Sequence, residues 1–80
     1  MRYNNLRYII VPTSELDSID FTKVIQDQGD VRYSSDGQFF IVKYEGNKPY
    51  CLYGKTVYTH EQILGIVNDV NDIWYIESDI

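Results

Sequence analysis

Gln38-Phe39-Phe40-Ile41-Val42-Lys43-Tyr44-Glu45 is the stretch whose reading decides the fold. Successive residues of a strand point to opposite faces. Here both parities are apolar, with Phe39 and Ile41 on one and Phe40, Val42 and Tyr44 on the other. That pattern predicts a central strand covered on both faces for part of its length, and the best protected element of the chain. Just upstream, Val31–Ser34 leads into Ser35-Asp36-Gly37. An Asp-Gly turn between two apolar runs is a strong hairpin signal, because glycine takes a positive φ without penalty. Downstream, Gly46-Asn47-Lys48-Pro49 reads as a second turn, Tyr50–Tyr53 as a short third strand, and Gly54-Lys55 as a bend before Thr56–Tyr58.

Further out, Leu6–Val11 is a β-branched run closed by Pro12, which removes a ladder donor and ends a strand. After polar turn residues Thr13 to Asp17, Ser18 or Asp20 can N-cap a short helix with Phe21, Val24 and Ile25 on one face. That helix is expected to stop near Gln28-Gly29, with the glycine as left-handed terminator. Thr59-His60-Glu61-Gln62 carries the signature of a capping box. Ile63, Ile66, Val67 and Val70 then follow at helical spacing, predicting one helix docked on the sheet with Glu61, Asn68 and Asp69 in water. Gly65 within it suggests a close approach of backbone to the sheet. Asn68-Asp69 and Asn71-Asp72 favour local side-chain bonds over helix, and Ile73–Glu77 reads as a last strand. The expectation is a single small α+β domain spanning residues 1–80, an antiparallel sheet in β-α-β-β-β-α-β order with two helices packed on one face.

Composition supports a folded, packed chain. Apolar residues make up 44% and charged residues 24%, near the globular averages of roughly 45–50% and 25%, which excludes disorder and fibrous repeats. One cysteine cannot close an internal disulfide, and with one histidine it cannot fill a four-ligand zinc site, so the chain folds on packing. The longest apolar runs, Tyr8–Val11 and Phe39–Val42 among them, fall far short of the roughly 18 residues that span a bilayer, and no signal-peptide core is visible. The sequence therefore predicts a cytoplasmic protein, complete from Met1, without membrane contact.

Charge is segregated. Residues 1–55 balance, whereas 56–80 hold Glu61, Asp69, Asp72, Glu77 and Asp79 with no Lys or Arg, and so carry the whole net charge of −5. Such a region repels a phosphate backbone and attracts basic partners. Eight tyrosines, three phenylalanines and one tryptophan are many for this length. Partly exposed Tyr and Trp anchor protein interfaces, but Tyr and Phe also fill thin sheet cores. Trp74 and Tyr75 lie inside the acidic region, so Glu61, Asp69, Asp72, Trp74, Tyr75, Glu77 and Asp79 form the candidate protein-binding surface. A competing face interleaves cations with rings through Arg32, Tyr33, Lys43, Tyr44, Lys48, Tyr50, Tyr53 and Lys55. Rings stack bases and cations track phosphates in single-stranded nucleic-acid binders. The acidic total argues against that use.

Catalytic and cofactor motifs are weak or broken. Gly54-Lys55-Thr56 matches the end of a Walker A loop, but its first glycine would fall at Pro49. Cys51 and His60 could form a thiol–imidazole pair, although Cys51 in a strand more simply reads as a small buried residue. No carboxylate pair has a spacing that predicts split acid and base roles, and Asp69-Val70-Asn71-Asp72 lacks the glycine and final glutamate of a calcium loop. The expectation is a non-enzyme without cofactor or bound metal.

Tyr33-Ser34-Ser35-Asp36-Gly37, Val42-Lys43-Tyr44-Glu45-Gly46 with Pro49, and Tyr58-Thr59-His60-Glu61-Gln62-Ile63-Leu64 with Trp74 together resemble a pattern in small uncharacterised accessory proteins of tailed phages. About half the chain carries the resemblance, and its motifs are structural. It implies a phage or prophage origin, expression in the cytoplasm of a host bacterium, and action by binding a host protein. Combined with the charge pattern, this predicts an acidic, tyrosine-rich protein that captures a host factor of basic surface, such as a defence or nucleic-acid-handling protein. The alternatives are a virion or assembly component that self-associates, and a single-stranded nucleic-acid binder.

Overall fold

A computed structural model of the chain describes residues 5–26, 29–46, 48, 52 and 54–78. Four strands form one antiparallel sheet: β1 (Leu6–Pro12), β2 (Asp30–Tyr33), β3 (Phe39–Glu45) and β4 (Tyr58–Thr59), in the order β2-β3-β1-β4. A 3-10 helix (Thr13–Ser18) and α1 (Phe21–Gln26) lie between β1 and β2, and α2 (His60–Leu64) and α3 (Val70–Glu77) follow β4. β1 and β3 pair along their full lengths, from Leu6 opposite Glu45 to Pro12 opposite Phe39. The α+β class and the antiparallel sheet are those read from the sequence.

The β2–β3 hairpin forms where Asp36-Gly37 places it. Gly37 has φ +72°, and Asp36 Oδ1 accepts from Ser34 Oγ (2.5 Å) and from the amide of Gln38 (3.1 Å). Asp20 caps α1, its carboxylate accepting from the amides of Thr22 and Lys23, whereas Ser18 closes the 3-10 helix onto the Glu15 carbonyl. The capping box of α2 is complete: the Gln62 amide donates to Thr59 Oγ1 (3.2 Å) and the Thr59 amide to Gln62 Oε1 (3.0 Å).

Helices cover both sheet faces, not one. On the first face Ile9, Val11, Phe40, Val42 and Tyr44 pack with Ile19, Val24 and Leu52, and Phe21 of α1 sets its ring edge-on to Phe40 at 5.0 Å. On the second, Leu6, Tyr8 and Ile41 pack with Ile63 of α2, Val67 and Ile76 of α3. The reason is the double parity of β3, since two apolar faces each need a covering layer.

Ile73–Glu77, read as a strand, is the second half of α3. Asp69 starts this helix by accepting from the amide of Asn71 at 2.8 Å. Burial then follows helical spacing through Asp72, Ile73 and Ile76, which strand alternation would have split between faces. The same cap divides the single helix expected over Ile63–Val70: α2 ends at Gly65, and the restarted phase turns Val70 outward, 59% exposed. Gly65 has ordinary right-handed geometry, and a Cβ there would meet only the Gln62 and Glu61 carbonyls, so it makes no close approach to the sheet. Gly29 is not a left-handed terminator either. A Cβ on it would lie 2.7 Å from Val24 Cγ1 and 3.0 Å from the Val24 carbonyl, so tight packing on α1 requires its bare backbone. The expected strand Tyr50–Tyr53 falls largely outside the described residues.

A polar seat on the second face holds the end of α3. Tyr8 and Lys43 are directly opposite in the β1–β3 ladder, and both are buried, Lys43 to 1% exposure. Lys43 Nζ donates to the carbonyls of Tyr75 and Ser78 (2.7 Å for Ser78) and to Ser78 Oγ (2.9 Å), and stands 4.4 Å from the centre of the Tyr75 ring. Tyr8 donates its hydroxyl to the Ile76 carbonyl at 2.8 Å. The final turn of α3 has no basic residue of its own, so the sheet supplies the cation and donors that helix C-terminal carbonyls need.

Replacing Lys43 by Met keeps the apolar stem but leaves these carbonyls short of a charged donor, and about 2–3 kcal/mol of unfolding free energy is expected to be lost in urea titrations. The two glycines give opposite signs in the same assay. Gly29→Ala is expected to destabilise by about 1–3 kcal/mol through overpacking, and Gly65→Ala to stabilise by about 0.5 kcal/mol through the unfolded chain.

Candidate functional site

The acidic residues of 56–80 do not share one role. Glu61 is exposed in the first turn of α2, Asp69 is the exposed cap of α3, and Glu77 is exposed at its end. Asp72 is buried, 4% exposed, and faces the β2–β3 turn. Its Oδ2 accepts from the Ser35 amide at 3.4 Å, and its Oδ1 lies 3.9 Å from Arg32 Nε, too far for a hydrogen bond, with no other partner among the described residues. Asp79 lies outside the described residues.

Of the aromatic candidates, Trp74 is a surface residue at 70% exposure and Tyr75 is not. The Tyr75 hydroxyl donates to the Asp30 carbonyl at 2.8 Å, and its ring lies against both Lys43 and Arg32. Burial, with a further push from the Asp30 charge, raises its phenol well above the ordinary tyrosine range, so it stays neutral as a strut between α3 and β2. Trp74 is one turn from Val70, so the two share an outward face of α3. Asp69 precedes this stripe and Glu77 follows Trp74 by three positions.

Among the described residues, the competing basic and aromatic face does not assemble. Lys43 and Tyr44 are adjacent in β3 and point to opposite sides of the sheet, where both are buried. Arg32 is half-buried between Asp72 and Tyr75, and Tyr33 leans edge-on against Phe40. Lys48 donates to the Lys55 carbonyl, and Lys55 pairs with Glu15 at 2.6 Å. Tyr50 and Tyr53 lie outside the described residues. The cations that spacing would have aligned for phosphates are spent within the fold.

Cys51, the partner considered for His60, also lies outside the described residues. His60 is half-buried, with Nδ1 3.0 Å from the Tyr8 hydroxyl. That hydroxyl has one hydrogen, directed at the Ile76 carbonyl, so His60 Nδ1 carries a hydrogen and donates it to Tyr8. Imidazole and phenol thus complete the seat for α3. Among the described residues no three His, Cys, Asp or Glu side chains are grouped to hold a metal ion, and no helix is long and apolar enough to cross a membrane.

One cavity adjoins the acidic surface. It has a volume of about 450 Å³ and lies between the β2–β3 turn (Ser35, Asp36, Phe39) and the α2–α3 connection (Ile66 to Asp69), with Asp72 in its wall. Its acidic lining was legible in part, since Asp69 and Asp72 stand in a segment without cations. Ser35 and Phe39 join them only because the hairpin turn packs against the α3 start, a contact between residues about thirty or more apart. Val70 could have been placed outside from sequence had Asp69 been read as a new N-cap. Compared with family models, curated proteins and solved structures, the chain matches none.

Hydrogen bonds from Ser34 Oγ and the Gln38 amide hold the Asp36 carboxyl below its ordinary value of 3.8. A depressed folded-state value adds stability above the unfolded pKa that is lost as pH falls through the folded one. An NMR titration is expected to place the Asp36 midpoint below that of an unstructured aspartate, and Ser34→Ala is expected to return it upward.

Proposed function

We propose that this chain is a non-enzymatic, phage-type accessory protein that binds a host protein of basic surface through the outward side of α2 and α3. The observation that carries this reading is Trp74, 70% exposed beside the exposed Val70, in a segment whose charges are all negative. Water-exposed apolar residues rimmed by polar ones mark interaction sites, and tryptophan is the residue most often found as an interface anchor. Glu61, Asp69 and Glu77 set the sign of the partner: opposite charge speeds encounter, and a like-charged surface is rejected. The tyrosine contribution is smaller than composition suggested, because Tyr8 and Tyr44 fill the core and Tyr75 is a strut. A host defence or nucleic-acid-handling factor has the required basic surface, and the cytoplasm of a host bacterium is where the two would meet.

The same apolar stripe also favours self-association in a virion or assembly component. A two-fold contact through α3 would set Asp69 and Glu77 of one copy near the carboxylates of the other, with no Lys or Arg of residues 56–80 to compensate. That repulsion ranks a basic hetero-partner ahead of a second copy.

Tagged protein is to be incubated with host lysate treated with nuclease, and retained proteins identified by mass spectrometry. The expected result is one retained basic protein, lost from Trp74→Ala and from the double variant Glu61→Lys, Glu77→Lys, both of which keep the parent melting temperature within about 3 °C. Retention unaffected by either variant, or no specific partner alongside a concentration-dependent mass above 9.4 kDa, would overturn it.

A further inference from the structure

The geometry points to a guanidinium receptor: the cavity between the β2–β3 turn and the α2–α3 connection takes an arginine side chain supplied by a protein partner. This rests on the partner-binding reading above and names the chemistry recognised beside that surface.

The first ground is the Asp72 carboxylate. It is more than nine-tenths buried, belongs to the cavity lining, and is under-satisfied: Oδ1, itself covered by protein on the side of Arg32, accepts no hydrogen bond, and Oδ2 is held only at 3.4 Å. Arg32 compensates part of the charge from 3.9 Å but fills neither oxygen. A buried carboxylate in this condition is destabilising until N–H donors arrive, and the return is largest when those donors carry positive charge.

The second ground is the field around it. Asp36 and Asp69 add two further carboxylates to the lining, which contains no Lys or Arg among the described residues. The turn hydrogen bonds of Asp36 favour its charged form. A concave site lined by one sign of charge concentrates ions of the other.

The third ground is shape and polarity. Phe39, Ile66 and Val67 add apolar surface to the same lining, suited to the methylene stem of a long basic side chain. A volume of about 450 Å³ is adequate for such a group. The carboxylates do not group as ligands for a metal ion among the described residues. Guanidinium suits the site better than ammonium: it is planar, offers five donors in a fixed fork, is weakly hydrated, and stacks on a ring such as Phe39.

The test is a ¹⁵N NMR titration of the full chain with N-acetyl-arginine methylamide, using the lysine and citrulline analogues for comparison. The arginine probe is expected to give saturable shifts at Ser35, Phe39, Asn68 and Asp69, with a Kd on the order of 1 mM for so small a ligand. Neutral citrulline and the lysine analogue are each expected to bind at least about tenfold more weakly, and Asp72→Asn to weaken the arginine probe by a similar factor. Asp69→Asn retains an equivalent helix cap, so it is the variant that decides if Asp72→Asn fails to fold, and it too is expected to weaken binding. No saturable shift, equal binding of lysine or citrulline, or undiminished binding by the folded variants would overturn the assignment. Trp74→Ala is expected to retain arginine binding. Thus arginine binding without lysate capture removes the partner reading alone, and Trp74-dependent capture without arginine binding removes the receptor alone.

Discussion

Tyr8 and Lys43 face each other across the β1–β3 ladder, and the last helix is seated on the polar groups they present. A lysine at the centre of a sheet has no stable place unless its ammonium is fully occupied. The last turn of α3 has the reciprocal problem, since its carbonyls have no intrahelical partner and no basic residue of its own. Each satisfies the other, with Ser78 joining through both carbonyl and hydroxyl. Tyr75 and His60 tie the same region to β2 and to the start of α2. The position of α3, and of everything it presents to solvent, follows from this junction.

Around it the sheet works as a partition. The face carrying Val42 and Tyr44 closes on α1 and is apolar, while the face carrying Lys43 closes on α2 and α3 and holds buried polar groups. Cations of the sheet and of the bend before β4 are drawn inward or into local pairs: Lys43 to the end of α3, Arg32 towards Asp72 and Tyr75, Lys55 to Glu15. Glu61, Asp69 and Glu77 are left facing water. The acidic surface is therefore a product of packing as much as of composition. Asp72 sits at the boundary, buried with the core yet lining the cavity beside that surface, and both proposals meet there.

Local chemistry carried most of the secondary structure. Gly37 turns where Asp-Gly predicts, Thr59 and Gln62 complete their reciprocal cap, and Asp20 starts α1. Errors arose where a local preference had two outcomes. Ile73-Trp74-Tyr75-Ile76 is composed like a strand, and its composition contains no record of the cap at Asp69 that made it a helix. The glycines behaved likewise, since Gly29 is required by the approach of Val24 and Gly65 by no contact with the sheet.

By itself the sequence determined that β3 would be central and covered twice, that the hairpin and the α2 cap would form, and that 56–80 would be acidic. Those outcomes rest on interactions within a few residues or on the alternation of one strand. Tertiary structure decided which charges are surface and which are structural. Lys43 and Asp72 look alike in sequence to any solvated residue, but one meets a helix end thirty-two residues away in Tyr75 and the other a turn thirty-seven residues away in Ser35. Desolvation depends on what covers a group, and for these two the covering segments lie far along the chain.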